Sequence, residues 1–255
     1  MPRKQYVTKS PAPFLRRITL LPDQMGAGYP FDLPFLKDPD FALHFTQPVT
    51  IITGENGTGK STLIEAIGAL AGYNEAGGGK GYAAVDHSAA RDISAVELAR
   101  ALRGAWLPKV TNGWFFRAET FFAVARYLDA AGSPSADFLS HSHGEGYMRL
   151  FAERMARQGL YLMDEPESAL SPKRQLALLR LLARIQEAAQ AQVIMATHSP
   201  ILMALPGADL WQITKDGVAP VHYRDTRHFK LYQDFVVDPE AFIAEALADE
   251  TDSQF

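Results

Sequence analysis

The chain has 255 residues, 47% of them hydrophobic and 21% charged, with a formal net charge of −4 and no cysteine. That length suits one large α/β domain with ample core, and the charge balance gives no support to a nucleic-acid binder that is basic overall. The lack of cysteine excludes a disulfide framework and any cysteine-based zinc site, and it fits a reducing, cytoplasmic location.

Residues 1–13 are polar and proline-containing and read as a loose lead-in; Arg3, Lys4 and Lys9 are not followed by the apolar run of a signal peptide. Residues 18–21 are predicted as a first strand, the proline- and glycine-bearing residues 22–40 as a loop, and the alternating residues 41–45 as a second strand. The β-branched run 49–53 reads as a buried strand. A helix is expected from Lys60, with Leu63, Ile64 and Ile67 on its packed face and its end near Gly72. The glycine-rich residues 74–81 lack a Gly-Lys-Ser ending and read as a mobile surface loop. Residues 93–103 form an amphipathic element, 113–119 a buried strand closing on Glu119, and 120–128 a segment of helical character. A small-residue loop over 130–146 leads into a helix carrying Met148, Leu150, Phe151 and Met155, which Gly159 breaks.

Residues 160–163 then form a short hydrophobic strand ending in Asp164-Glu165-Pro166-Glu167. Ser171 is a good N-cap and Pro172 suits the first position of a long helix, with Leu176, Leu179, Leu182 and Ile185 at helical spacing. Residues 191–197 are a further buried strand running into His198. Residues 210–214 and 218–223 read as a closing hairpin, and a helix near 239–247 caps the chain. The longest apolar candidate, residues 176–185, is cut by Arg180 and Arg184, so no direct membrane insertion is expected. Strands alternating with helices predict an α/β fold with a largely parallel, doubly wound sheet and an antiparallel β flank. The whole chain, 1–255, reads as one domain with a small helical subregion at about 84–158.

Two stretches carry chemistry. Gly54-Glu55-Asn56-Gly57-Thr58-Gly59-Lys60-Ser61 lies between a strand and a helix, the context a phosphate-binding loop demands. Its glycines let backbone N–H groups wrap a polyphosphate, and the following helix, with Thr62 in its first turn, directs free N–H groups and its positive dipole end at the same anion. Lys60 supplies charge for the outer phosphates and the Ser61 hydroxyl is placed to ligate Mg²⁺. Asp164 sits at the carboxyl end of a hydrophobic strand, where open α/β sheets bind ligands, and is placed to hold Mg²⁺; Glu165 beside it would orient or deprotonate an attacking water.

These motifs, with Thr197-His198-Ser199 after a later strand, make the chain resemble the ABC-type ATPases, over about residues 14–225 and closest to small stand-alone members related to RecF and SMC heads. The resemblance implies ATP and Mg²⁺ as ligands and an ATP-gated homodimer acting on an unknown protein partner or on DNA. It makes His198 a switch histidine near the γ-phosphate, and residues 168–171 a dimer-interface loop. Ser142-His143-Gly144-Glu145, about 22 residues before Asp164, becomes a divergent signature motif that completes the partner subunit's site. Glu119 takes the place of the family's Q-loop glutamine, and a carboxylate there would contact Mg²⁺ or water. Alternatives are the ATPase subunit of a membrane transporter and an ATP-dependent regulatory switch with negligible turnover; a small-molecule kinase would leave the Ser142 motif without a purpose. His44, His87, His141, His222 and His228 read as surface or structural, the aromatic run Trp114-Phe115-Phe116 with Phe121 and Phe122 as core, and Arg117 and Arg126 as structural or solvated. Tyr29 and Arg16 are the only suggestions for a contact to adenine.

Overall fold

In the computed structural model, residues 8–74, 77–80, 93–117 and 143–248 are described, without the side chains of Ile93, His143 and Gly144. Among the described residues ten strands fall into two sheets. A seven-stranded sheet has the order β10-β9-β3-β8-β7-β6-β4, from β3 (Val49–Gly54), β4 (Gly78–Gly79), β6 (Gly113–Arg117), β7 (Leu160–Asp164), β8 (Gln192–Ala196), β9 (Asp209–Thr214) and β10 (Gly217–Pro220). The five strands from β9 to β6 are parallel, and β10 and β4 close the edges in antiparallel fashion. The second sheet is antiparallel with the order β2-β1-β5, from β1 (Leu15–Leu20), β2 (Ala42–His44) and β5 (Leu102–Trp106).

The parallel strands read as continuous apolar runs because both of their faces are covered. Alternate side chains divide them between two cores. Ile52, Phe115, Leu162, Ile194 and Ile213 join the side that carries β1, α1 (Lys60–Ala71) and α2 (Ile93–Arg100). Ile51, Phe116, Met163, Val193 and Leu210 face the opposite core with α3 (His143–Arg154), α4 (Pro172–Ala188) and α5 (Pro200–Met203). Each fully buried aliphatic side chain of this kind contributes about 1.5–3 kcal/mol. Gln192, fully buried at the start of β8, stitches the two sheets together. Its Oε1 accepts from the main-chain N–H of Phe14 and of Leu15, both at 2.8 Å, and its Nε2 donates to the Leu15 carbonyl at 2.9 Å.

Several elements differ from expectation. Gly78–Gly79, expected to be loop, pairs with Phe115 and Trp114 as the edge strand β4. The amphipathic stretch 93–103 ends as a helix at Arg100 and turns into β5, which pairs with β1. A helix absent from the sequence reading, α6 (Arg227–Val237), precedes α7 (Pro239–Ala248). Within the span 84–158, residues 93–117 build α2, β5 and β6, and 143–154 build α3; residues 84–92 and 118–142 lie outside the described residues, and with them Glu119, Ser142 and the predicted helix at 120–128. Among the described residues no helix is long and apolar enough to cross a membrane.

Candidate nucleotide site

β3, β8 and β7 lie side by side, so their carboxyl ends bring three pieces of chain to one edge of the sheet. β3 delivers the glycine loop. A Cβ on Gly54, at φ 155°, would sit 2.5 Å from the Ile213 carbonyl oxygen, and one on Gly59, at φ 89°, would sit 2.7 Å from the Leu33 side chain. Both positions therefore require glycine. Gly59 also caps α1, whose first turn places Lys60, Ser61 and Thr62 at the loop. Lys60 is buried and its Nζ donates to the Glu55 carbonyl at 3.0 Å. Burial lowers the Lys60 pKa, against the opposing pull of Glu165, Asp164, Glu167 and Glu55.

β7 delivers the carboxylates. The Ser61 hydroxyl donates to Asp164 Oδ1 at 3.1 Å, so two of the three residues predicted to ligate metal lie together across the gap between α1 and β7, the third, Glu119, being outside the described residues. Glu165 follows in the left-handed region (φ 44°, ψ 55°), an uncommon conformation for a residue with a Cβ. Its N–H donates to the Ala196 carbonyl at 3.0 Å, and its carbonyl accepts from Ser168 N at 3.1 Å and Ser168 Oγ at 2.8 Å. Arg117, beside Asp164 on β6, pairs with Glu65 of α1 at 2.6 Å, a structural role.

β8 delivers His198. Its Nε2 lies 3.5 Å from Glu165 Oε1, and its main-chain N–H donates to Glu167 Oε1 at 2.5 Å. Glu167 is a residue whose place in the site the sequence reading missed. It is the second carboxylate of Asp-Glu-Pro-Glu, and the turn at Pro166 folds it back under the end of β8. Burial raises its pKa, opposed chiefly by the hydrogen bond from His198 N–H. His228 was missed too. Read as surface or structural, it instead stands on α6 with its Nε2 3.0 Å from His198 Nδ1. Burial lowers the pKa of both histidines, with Lys60 adding to the effect, so both favour the neutral form.

A cavity of about 210 Å³ is lined by Tyr29, Leu33, Asn56, Gly57, Gly59, Lys60, Ser61, Thr62 and Glu165. Tyr29, 55% exposed, is tethered over it by a 2.6 Å hydrogen bond between its hydroxyl and Thr62 Oγ1. A larger cavity, about 610 Å³, lies at the amino-terminal ends of β6 and β7, lined by residues that include Lys80, Trp114, Arg154 and Arg157, and holds none of the phosphate-loop residues. Of the predicted signature residues, His143 and Gly144 begin α3, and exposed Glu145 pairs with Arg174 at 2.9 Å.

Residues 34–98 match a model described as "AAA domain", and residues 120–204 match one described as "AAA domain, putative AbiEii toxin, Type IV TA system". The first match spans the glycine loop and the second spans Asp164, Glu165 and His198. The chain has a P-loop α/β fold, and the two AAA-domain matches fall on its glycine loop and on the strands that lead to Asp164 and His198. Solved structures similar to this P-loop chain include "An inward-facing conformation of a putative metal-chelate type ABC transporter", 19% identical with a TM-score of 0.48 over 85% of this chain and 88% of that one. Others are cbiO1 from Clostridium perfringens, part of the ABC transporter complex cbiONQ (14%, TM-score 0.47, 92% and 100%), and the SMC head domain from Thermotoga maritima (16%, TM-score 0.46, 82% and 99%). No curated protein matches the chain.

Proposed function

We propose that the chain binds and hydrolyses ATP, and that two copies close on the nucleotide. The observation that carries this reading is the convergence of the glycine loop, the Ser61–Asp164 pair, Glu165 and His198 at the ends of three adjacent parallel strands. In this reading the N–H groups of residues 55–62 and the ammonium of Lys60 bind the phosphates; on nucleotide entry Lys60 exchanges its contact with the Glu55 carbonyl for phosphate oxygens. The site suits Mg²⁺, which is held by one or two protein oxygens plus phosphates and water, and Ser61 and Asp164 would supply those oxygens. Bound there, Mg²⁺ would neutralise charge on the phosphates. Glu165 orients a water in line with the terminal phosphorus and draws off its proton, and His198 donates its Nε2–H to a terminal oxygen.

The second copy would contribute the start of α3, with Ser142, His143, Gly144 and Glu145, to the first copy's triphosphate. ATP would then favour the closed dimer, hydrolysis would release it, and the cycle would act on a protein partner or DNA in the cytoplasm. Phosphate release tests the enzymatic part. Wild type should turn over, and Glu165→Gln should bind ATP yet lose about 100-fold or more in rate. A Glu165→Gln protein as fast as wild type removes Glu165 from the mechanism. Stimulation by DNA that fades at high salt would identify DNA as the partner.

A further inference from the structure

We infer that His228 is a positioning residue: its Nε2–H donates to His198 Nδ1 and thereby fixes the His198 proton on Nε2, the nitrogen that faces Glu165. The 3.0 Å contact joins ring nitrogens, with ring centroids 5.1 Å apart and planes 58° from parallel, which is hydrogen-bonding and not stacking geometry. A neutral imidazole carries one N–H, and its location follows from the partner of the other nitrogen. On the far side of His198, Nε2 is buried, has no hydrogen-bond partner among the described residues, and lies 3.5 Å from a carboxylate oxygen of Glu165. A carboxylate only accepts, so an Nε2 lone pair directed at it would be repelled while an Nε2–H is drawn to it. The Nδ1 lone pair is then left to accept, and His228 Nε2 is the group that reaches it. Lys60, Glu165 and Glu55 are the charged groups bearing on the pair.

The fold holds His228 in place for this. It is the second residue of α6, two positions after the N-cap Thr226, which is fully buried; the Thr226 hydroxyl donates to the Tyr223 carbonyl at 2.6 Å and accepts from Phe229 N–H at 3.2 Å. Phe229 packs edge-on against Tyr223 at 5.1 Å. The far end of the same helix carries Val236 and Val237, both exposed. Among the described residues His228 Nδ1 has no hydrogen-bond partner, so there its bond to His198 is the one that orients its ring. Leaving a ring acceptor unpaired is the milder choice, because buried N–H groups without partners are the rarer kind.

The tautomer follows from the geometry alone, whereas its effect on turnover rests on the ATPase reading above. The test is a long-range ¹H–¹⁵N correlation spectrum of the nucleotide-free, ¹⁵N-histidine protein at mildly alkaline pH, with the His198 signals among the 7 histidines assigned through His198→Gln. The expected result is one tautomer, protonated at Nε2, in wild type and in His228→Gln, whose amide N–H can replace the imidazole donor, and a mixture in His228→Ala. Turnover should fall about tenfold in His228→Ala with KM for ATP little changed, and recover largely in His228→Gln. A wild-type His198 protonated at Nδ1, or a tautomer unaltered in His228→Ala, overturns the inference. The expected spectra from a wild type that hydrolyses no ATP would uphold the positioning and sink the ATPase reading instead.

Discussion

Replacing Glu165 by glycine should make the protein more stable while abolishing turnover. The left-handed region costs a residue with a Cβ about 1–2 kcal/mol. The other attachments of Glu165 are main-chain ones, to Ala196 and Ser168, and survive the change. Its side chain is 42% exposed; among the described residues it makes the long 3.5 Å approach to His198 and attracts the Lys60 ammonium, and solvent screens both. Glycine returns the strain but has more freedom in the unfolded chain, which takes back about 0.5–1 kcal/mol. The net expectation is a gain of about 0.5–1 kcal/mol. Ala189 provides a control within the same molecule. It sits in the left-handed region (φ 49°) just past α4, and its hydrogen bonds, to the Ile185 carbonyl and from Ala12 N–H, are also main-chain. Ala189→Gly should gain a similar amount with activity intact. Urea unfolding of the wild type and both variants reads the difference. If Glu165→Gly unfolds at lower urea than wild type while Ala189→Gly unfolds at higher urea, the strain assigned to Glu165 is wrong.

Three further outcomes follow from the structure. Tyr29→Ala should weaken ATP binding by about 5- to 150-fold, the equivalent of losing base–aromatic stacking worth about 1–3 kcal/mol, yet leave pyrophosphate affinity unchanged; equal losses for both would place the ring against phosphate instead. Gln192→Leu orphans the N–H groups of Phe14 and Leu15 in the core and should cost about 2–5 kcal/mol in urea unfolding, and a loss under 1 kcal/mol would mean the two sheets are not held by this side chain. Glu167, whose pKa burial raises above its unfolded value, keeps its proton in the folded state over a range where the unfolded chain has lost it, so its contribution to stability falls as pH rises through that range. Glu167→Gln cannot ionise, and its stability relative to wild type should climb with pH from the acid side; a pH-independent difference would show that Glu167 is not held in an unfavourable charged form.

The phosphate loop, the strand ending in Asp164-Glu165 and the start of α4 are legible in the sequence because local chemistry dictates each of them. A glycine pattern, a hydrophobic run before carboxylates, and a proline at the first helical position need no distant partner to be recognised; the Ser171 side chain makes no capping bond, and its carbonyl accepts from the Arg174 and Gln175 N–H groups instead. β5 escapes because Leu102–Trp106 follows a helix directly and becomes a strand only by pairing with β1. β4 is two glycines, which carry no side-chain signal at all. α6 carries Phe229, Tyr232, Phe235 and Val236 at helical spacing, but none of its residues is buried, so its apolar stripe meets no core that would have marked the segment as part of the fold. Glu167 and His228 belong to the site through tertiary contacts alone. Glu167 depends on the turn after Asp164, and His228 on a helix 30 residues beyond His198 folding back against it.

Enclosure of magnesium-bound ATP by two copies of the chain can be read from light scattering on Glu165→Gln with Mg–ATP, alongside wild type with ADP. The expected mass is about twice 28.1 kDa for the variant, with two nucleotides retained per dimer, and 28.1 kDa for the wild type with ADP. A variant that stays at 28.1 kDa with ATP bound would contradict the dimer, and one that retains no nucleotide would contradict the site itself.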